Sequence, residues 1–416
     1  MDTKVLPLSP SLEQYKKQAK DLLKSVRAGN PDALALTLRR LKNDHPRLGR
    51  LADLDLPGGK FALADAQFVI AREHGFESWP KFLNHIKALA GPTSSVSSFE
   101  SAVDAVVTGD LVKLEQMLRE SPELVRERST FLHHATLLNY VGANGVENYR
   151  QKTPKNAVQV AEVLLRAGAD IQAVADIYGG SDTLGLVATS IFPFLAGVQN
   201  ALIDTLLEHG ANLNSERLIN ACLANGRGPA AEHLAQRGAP LNLEGAAGVG
   251  RLDLVKASFT EIGRLRTDAE QEQMERGFCW ACQYGRTSVV EFLLGQGLKV
   301  DASPQGITGL HWAAHTARVD IVKLLLKNKA PVEVRDGRHQ GTPLGWALHA
   351  WSDSFPESSD YYKVVALLIA AGARLNSALP ADTRNRDRLV AKLRADARMA
   401  TALKGETTEF DVTPPP

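Results

Sequence analysis

Apolar positions in this chain fall in short helical pairs. From Gly306 it reads GITGLHWAAHTARVDIVKLLLKNKAPVEV, in which Leu310, Ala313 and Ala314 mark one face of a first helix and Ile321, Val322, Leu324 and Leu325 one face of a second. The same two-helix pattern returns upstream and downstream at a spacing of roughly thirty-three residues. Neither helix of such a unit buries its apolar face until a neighbouring unit stacks on it, so the repeat predicts an all-α helical solenoid.

The amino-terminal part is patterned differently. Ser11 and Gln14 form a capping box that starts a helix LEQYKKQAKDLLKSVRAG, broken at Gly29-Asn30-Pro31 and followed by an antiparallel DALALTLRRLKN. A second pair, ADAQFVIAREHG and SWPKFLNHIKALAG, follows Gly58-Gly59. Residues 1–92 are expected to form a helical-hairpin cap, with GPTSSVSS at 91–98 as a flexible joint to the array.

From Phe99 the units align on an Ala-rich helix, a Gly pivot and a helix ending in Leu-Leu, and this resembles the ankyrin repeat family. Thr308, Leu310, His311, Ala313, Ala314, Ile321, Val322, Leu324, Leu325, Leu326 and Ala330 match the family pattern best. Weaker copies include AVDAVVTGDLVKLEQML, EVLLRAGADI, DTLLEHGANLN, WACQYGRTSVVEFLL and GTPLGWAL with VVALLIAAGARLN. The resemblance covers about 99–377 and implies a fold and a habit of binding proteins, not one particular partner.

Three units lengthen between the pivot and the second helix, at 146–156, 191–201 and 351–362. Loops this long on one rim would wall a recess; surface drift is the alternative. Residues 378–404 are expected to form one basic capping helix, and 405–416 a disordered tail.

Composition narrows the partners. A formal net charge of +1 gives no overall electrostatic footprint for nucleic acid or an anionic membrane. No apolar stretch is long enough to span a bilayer, and the start MDTKVLPLSP lacks a secretory signal, so a cytoplasmic protein is expected. Three cysteines make no disulfide framework.

In the family's geometry the residues after the Ala-Ala pair face a concave groove. That places Asn144, Tyr284, His315 and His349 there, the last three as a row able to hydrogen-bond and stack on a peptide or a ring-bearing molecule. The segment Glu147, Asn148, Tyr149, Arg150 and Gln151 is the densest polar cluster. Arg150 could hold a carboxylate or phosphate and Glu147 or Tyr149 could move protons; equally, Arg150 could simply pair with Glu147. Asp176, Tyr178 and Asp182 come from the next turn, with Gly179-Gly180 beside them. Trp351 and Phe355 are candidates for an apolar wall, while Trp346 is expected in the core. His311 and His315 have the spacing of a shared metal, and Cys279 and Cys282 that of a redox or zinc pair, but family positions favour structural roles for His311 and both thiols. No metal or cofactor is expected.

Two functions remain open beside a purely structural role with no defined ligand. One is a module that binds a protein or peptide in its concave groove. The other is an enzyme or small-molecule receptor whose insertions close a pocket, with His315 or His349 as base, Tyr149 or Tyr284 as acid and Arg150 as anion anchor.

Overall fold

Helix starts follow the capping signals. In the computed structural model, which describes residues 3–7, 10–44, 61–91, 94–267, 270–353 and 360–405, Ser11 accepts the Gln14 N–H at 3.4 Å and opens helix Leu12–Arg27. Pro31 begins the second helix, Pro31–Asp44, and the next pair is Leu63–Glu73 and Trp79–Leu89. Among the described residues every regular element is helical, and only two isolated bridges, Ala175 with Ser181 and Phe259 with Leu265, depart from that. The chain divides into two units, Met1–Leu213 and Asn214–Pro416.

In the first unit the expected joint is much shorter than its sequence implied. Ser94 caps a helix Ser95–Thr108 by accepting from Ser97 N–H, so the serines of the GPTSSVSS stretch mostly start a helix rather than a linker. Nor do the first helices stand apart. Phe131, from the segment after helix Leu111–Glu120, is buried among Tyr15, Phe76, Phe82 and Ile86, and Leu132 N–H donates to the Gly75 carbonyl at 2.8 Å. Rings packed edge-on and tilted, such as Phe76 on Phe131 at 4.6 Å, fill this core.

The second unit shows how one repeat engages the next. Pivots Gly250, Gly285 and Ala317 are left-handed, with φ of 85°, 74° and 53°, and the arginines after the last two reach back to the preceding repeat. Arg286 Nε donates to the Gly248 carbonyl and Arg318 Nε to the Gln283 carbonyl, both at 3.1 Å. Each acceptor lies two residues before a pivot, where the frayed end of a first helix leaves carbonyls without intrahelical donors. Ala-rich first helices allow close stacking: Gly277 sits against Ala247 and the Glu244 backbone, where a Cβ would meet atoms at 2.8 and 3.2 Å.

The insertions turn out to be structured. Residues 146–156 fold into a tight turn with a 3-10 segment Asn148–Arg150, in which Val146, Glu147 and Arg150 are buried. Residues 191–201 are helix Ile191–Leu195 and the start of helix Gln199–Glu208, not a loop. These two lie in the first unit. The third extends helix Pro343–Asp353 and the start of helix Asp360–Ala370, and its centre, with Phe355, lies outside the described residues. The carboxyl-terminal cap is two helices, Thr383–Ala395 and Ala397–Ala402. Asp396 divides them because its side chain accepts the Arg398 and Met399 N–H groups and the Tyr362 hydroxyl.

Candidate functional site

Two polar constellations stand out, one in each unit. In the first unit the 3-10 turn carries Arg150 against helix Ser95–Thr108. Its Nε and Nη2 bond Asp104 Oδ1 at 3.1 and 2.8 Å. Nη1 bonds Glu100 and, at 3.2 Å, Glu147, while Nη2 also reaches the Glu100 carbonyl at 3.4 Å. All five guanidinium N–H groups are thus committed to acceptors, and the side chain is only 8% exposed. No pair of donors is left to clamp a ligand, so Arg150 is a staple between elements rather than an anion anchor.

Glu147 is 1% exposed and equally engaged. The Tyr140 hydroxyl donates to its two oxygens at 3.2 and 3.1 Å, and His133 Nε2 lies 3.3 Å away. Burial works to raise the Glu147 carboxyl, but the His133 contact and the Arg150 charge outweigh it and hold the group below its ordinary value. Glu100 goes the other way. Its second oxygen is buried without a partner, and burial pushes its carboxyl up to about 7 despite Arg150. One arginine shared by two buried carboxylates and the exposed Asp104 does not compensate them all, and Glu100, with an unpartnered oxygen, is the one raised. Burial also raises Tyr149 and Tyr140, and lowers His85 to about 4.

The other residues of this unit are held in pairs. Tyr178, 74% exposed, donates its hydroxyl to Asn144 Oδ1 at 3.0 Å, and Asn144 donates to Thr189 and to the Leu186 carbonyl. Asp176 bonds His134 Nδ1 at 2.7 Å. Asp182 caps helix Thr183–Thr189.

In the second unit an open cleft of about 670 Å³ lies between first helices and the carboxyl-terminal cap. Its aromatic side starts at a buried turn. Asp336, fully buried, accepts N–H groups of Arg338, His339 and Gly341 and, at 3.1 Å, the Trp346 indole. Burial alone would raise that carboxyl, but these four donors hold it down at about 2. The turn thereby fixes Trp346, whose ring meets Trp312 at 5.2 Å and 84° and His315 at 5.6 Å and 75°. Burial, with the nearby His349, lowers the His315 pKa. His349 is 73% exposed and lies 3.2 Å from Asp353.

The lining is also basic. Arg388 and Lys392 come from helix Thr383–Ala395 and Arg335 from the irregular run before the Asp336 turn. Arg335 donates to the Gln340 and Ser377 carbonyls and Lys392 to the Ser352 carbonyl. Among the described residues none of the three cations meets a carboxylate, and the cleft's one acidic lining residue, Asp353, lies 3.2 Å from His349. A second depression in this unit, of about 650 Å³, mixes the two signs more evenly, with Arg318, Lys323 and Lys363 beside Asp320 and Asp360.

Of the proposed groove row, His315 and His349 share the cleft and Tyr284 does not. The Tyr284 hydroxyl donates to the Leu223 carbonyl at 2.6 Å and its ring packs on Gly228. Trp351, at 9% exposure, belongs to the core rather than to a wall, because its helix face turns toward the next repeat. Trp346 does the reverse: assigned to the core by sequence, it lines the cleft. His311 caps its own helix and bonds the Gly341 carbonyl at 3.1 Å, so both of its ring nitrogens are engaged within the fold. Cys279 and Cys282 are buried, and burial pushes the Cys279 thiol up to about 12. Among the described residues no three His, Cys, Asp or Glu side chains gather as a metal site would require. Arg335, His339, Arg388 and Lys392 escaped the sequence reading; the basic excess of residues 378–404 was their one visible signal.

Residues 278–378, which supply the aromatic side of the cleft, match the family model for ankyrin repeats in three copies. Over 94 residues the chain is 35% identical to the palmitoyltransferase Hip14 of Drosophila melanogaster, a match covering 22% of this chain and 13% of that protein's length. The crystal structure of the human ASB11 ankyrin repeat domain aligns with 64% of this chain and 96% of that domain, with a TM-score of 0.34 and 20% identity. No helix among the described residues is long and apolar enough to cross a membrane. Residues 278–378 are thus ankyrin repeats, three copies of the unit that the sequence pattern resembled.

Proposed function

We propose that this protein is a binding module that takes a peptide segment of a partner into the cleft of its second unit. Ankyrin repeats are in general protein-interaction modules, and the finer reading rests on one observation. The cleft at His315 and His349 is lined both by indole rings and by cations that pair with no carboxylate among the described residues. Desolvated rings flanked by unspent charge are what a partner can bury and pair with, whereas a scaffold normally satisfies such groups internally. The other constellation offers nothing comparable, because the guanidinium donors of Arg150 are used up within the fold.

Selection of displayed random peptides on the immobilised intact chain tests this. Recovered peptides should bind the parent and lose binding to Ala381→Trp, which places an indole in the cleft from an exposed lining position. An empty selection, or peptides indifferent to the plug, would refute the reading.

A further inference from the structure

The cleft's charge is one-sided, and that defines the partner's chemistry. Arg335, Arg388 and Lys392 line a space with three cations to one acidic residue, Asp353, among the described residues. Behind Arg388 and Lys392, helix Thr383–Ala395 carries Arg384, Arg386, Arg388, Lys392 and Arg394 against Asp387 alone. With the whole chain at +1, this is a local concentration of positive charge rather than a property of the protein at large. Such a patch steers negatively charged partners and disfavours positively charged ones.

The apolar side restricts the ligand further. Trp312 and Trp346 meet at 84° and His315 and Trp346 at 75°, so the rings pack edge to face. That arrangement offers a ridged apolar surface for a side chain and no pair of parallel ring faces to hold a nucleobase between them. A peptide with carboxylates on one edge and an aliphatic or aromatic side chain on the other satisfies both sides at once. Arginine is suited to the first task, since its planar fork bonds a carboxylate through two N–H groups.

We propose that the cleft recognises an acidic peptide segment, its carboxylates on Arg335, Arg388 and Lys392 and an apolar side chain against Trp312 and Trp346. This rests on the peptide-binding reading above. The i, i+4 spacing of Arg388 and Lys392 puts both cations on one helix face, so neighbouring carboxylates of an extended segment can meet them together.

The test uses the peptides recovered by displayed-library selection on the intact chain, resynthesised with a fluorescent label and measured by anisotropy. Enriched sequences should be rich in Asp and Glu around an apolar residue. Their affinity should fall about tenfold in Arg388→Glu combined with Lys392→Glu, the scale of two surface charge pairs. Parent binding should also weaken as sodium chloride is raised, because these charges are exposed to screening. A thermal melt of the double variant matching the parent shows that the loss is not unfolding, and the salt titration on the parent needs no variant. Enriched peptides that are neutral or basic, or acidic ones indifferent to both charge reversal and salt, would overturn the inference while leaving peptide binding intact. An empty selection instead removes the underlying reading.

Discussion

Arg150 in the first unit and Arg388 in the second are the same side chain in opposite circumstances. Arg150 is 8% exposed, and its N–H groups are divided among Glu100, Asp104 and Glu147. Arg388 is exposed, lines an open cleft and meets no carboxylate among the described residues. A buried charge must be paired or it destabilises the fold, so every neighbour of Arg150 is recruited to that end. An exposed charge is solvated already and remains available. A dense polar cluster in sequence therefore says little about ligand binding until it is known whether its members have bonded one another.

Removing Arg150 should break this contrast most severely. Arg150→Ala leaves Glu100 and Glu147 buried without their cation, and a loss of about 3–5 kcal/mol in urea unfolding is expected. A loss below about 1 kcal/mol would mean that Arg150 is as dispensable as a surface residue, and the distinction between the two sites would fall.

Next is the pH dependence of Glu100, whose folded carboxyl is raised to about 7 by burial. A group raised in the fold binds its proton more tightly there than when unfolded. Its contribution is therefore complete below its ordinary value of 4.5 and is lost as pH rises to about 7. His85, lowered by burial, works in the opposite sense over part of that window, so the comparison must be between variants. Glu100→Gln removes only the Glu100 titration. Its stability relative to the parent should improve by roughly 2 kcal/mol between the two ends of the window. A difference that does not change with pH would show that Glu100 stays charged throughout.

The smallest effect is expected at His349, which is exposed and whose partner Asp353 is exposed too. His349→Ala should alter stability by no more than about 0.5 kcal/mol while weakening the peptides selected on the cleft. If it melts the protein instead, His349 is part of the scaffold and the second site resembles the first.

Much of the repeat register was readable in the chain. The capping box at Ser11, the pivots at Gly250 and Gly285, and the His311 position all report local backbone requirements, which nearby residues meet by themselves. Trp346 and Trp351 were each assigned to the wrong side, because helical spacing does not say which face a terminal repeat leaves open once a cap is placed. The 191–201 insertion was taken for a loop because it lengthens the unit between pivot and second helix, although it forms helical turns. Pro193 lies in the first turn of helix Ile191–Leu195, where a missing N–H costs nothing.

Sequence alone determined that short helices would alternate about left-handed pivots and stack through small Ala and Gly faces, for those preferences act within a few residues. Tertiary structure decided which charges were consumed. Glu100 reaches Arg150 across fifty positions of chain, and the Asp336 turn, the Trp346 indole and helix Thr383–Ala395 converge on one cleft only after the repeats and cap have packed. Electrostatic fate depends on distance and solvent access in three dimensions, and neither is written in the order of the residues.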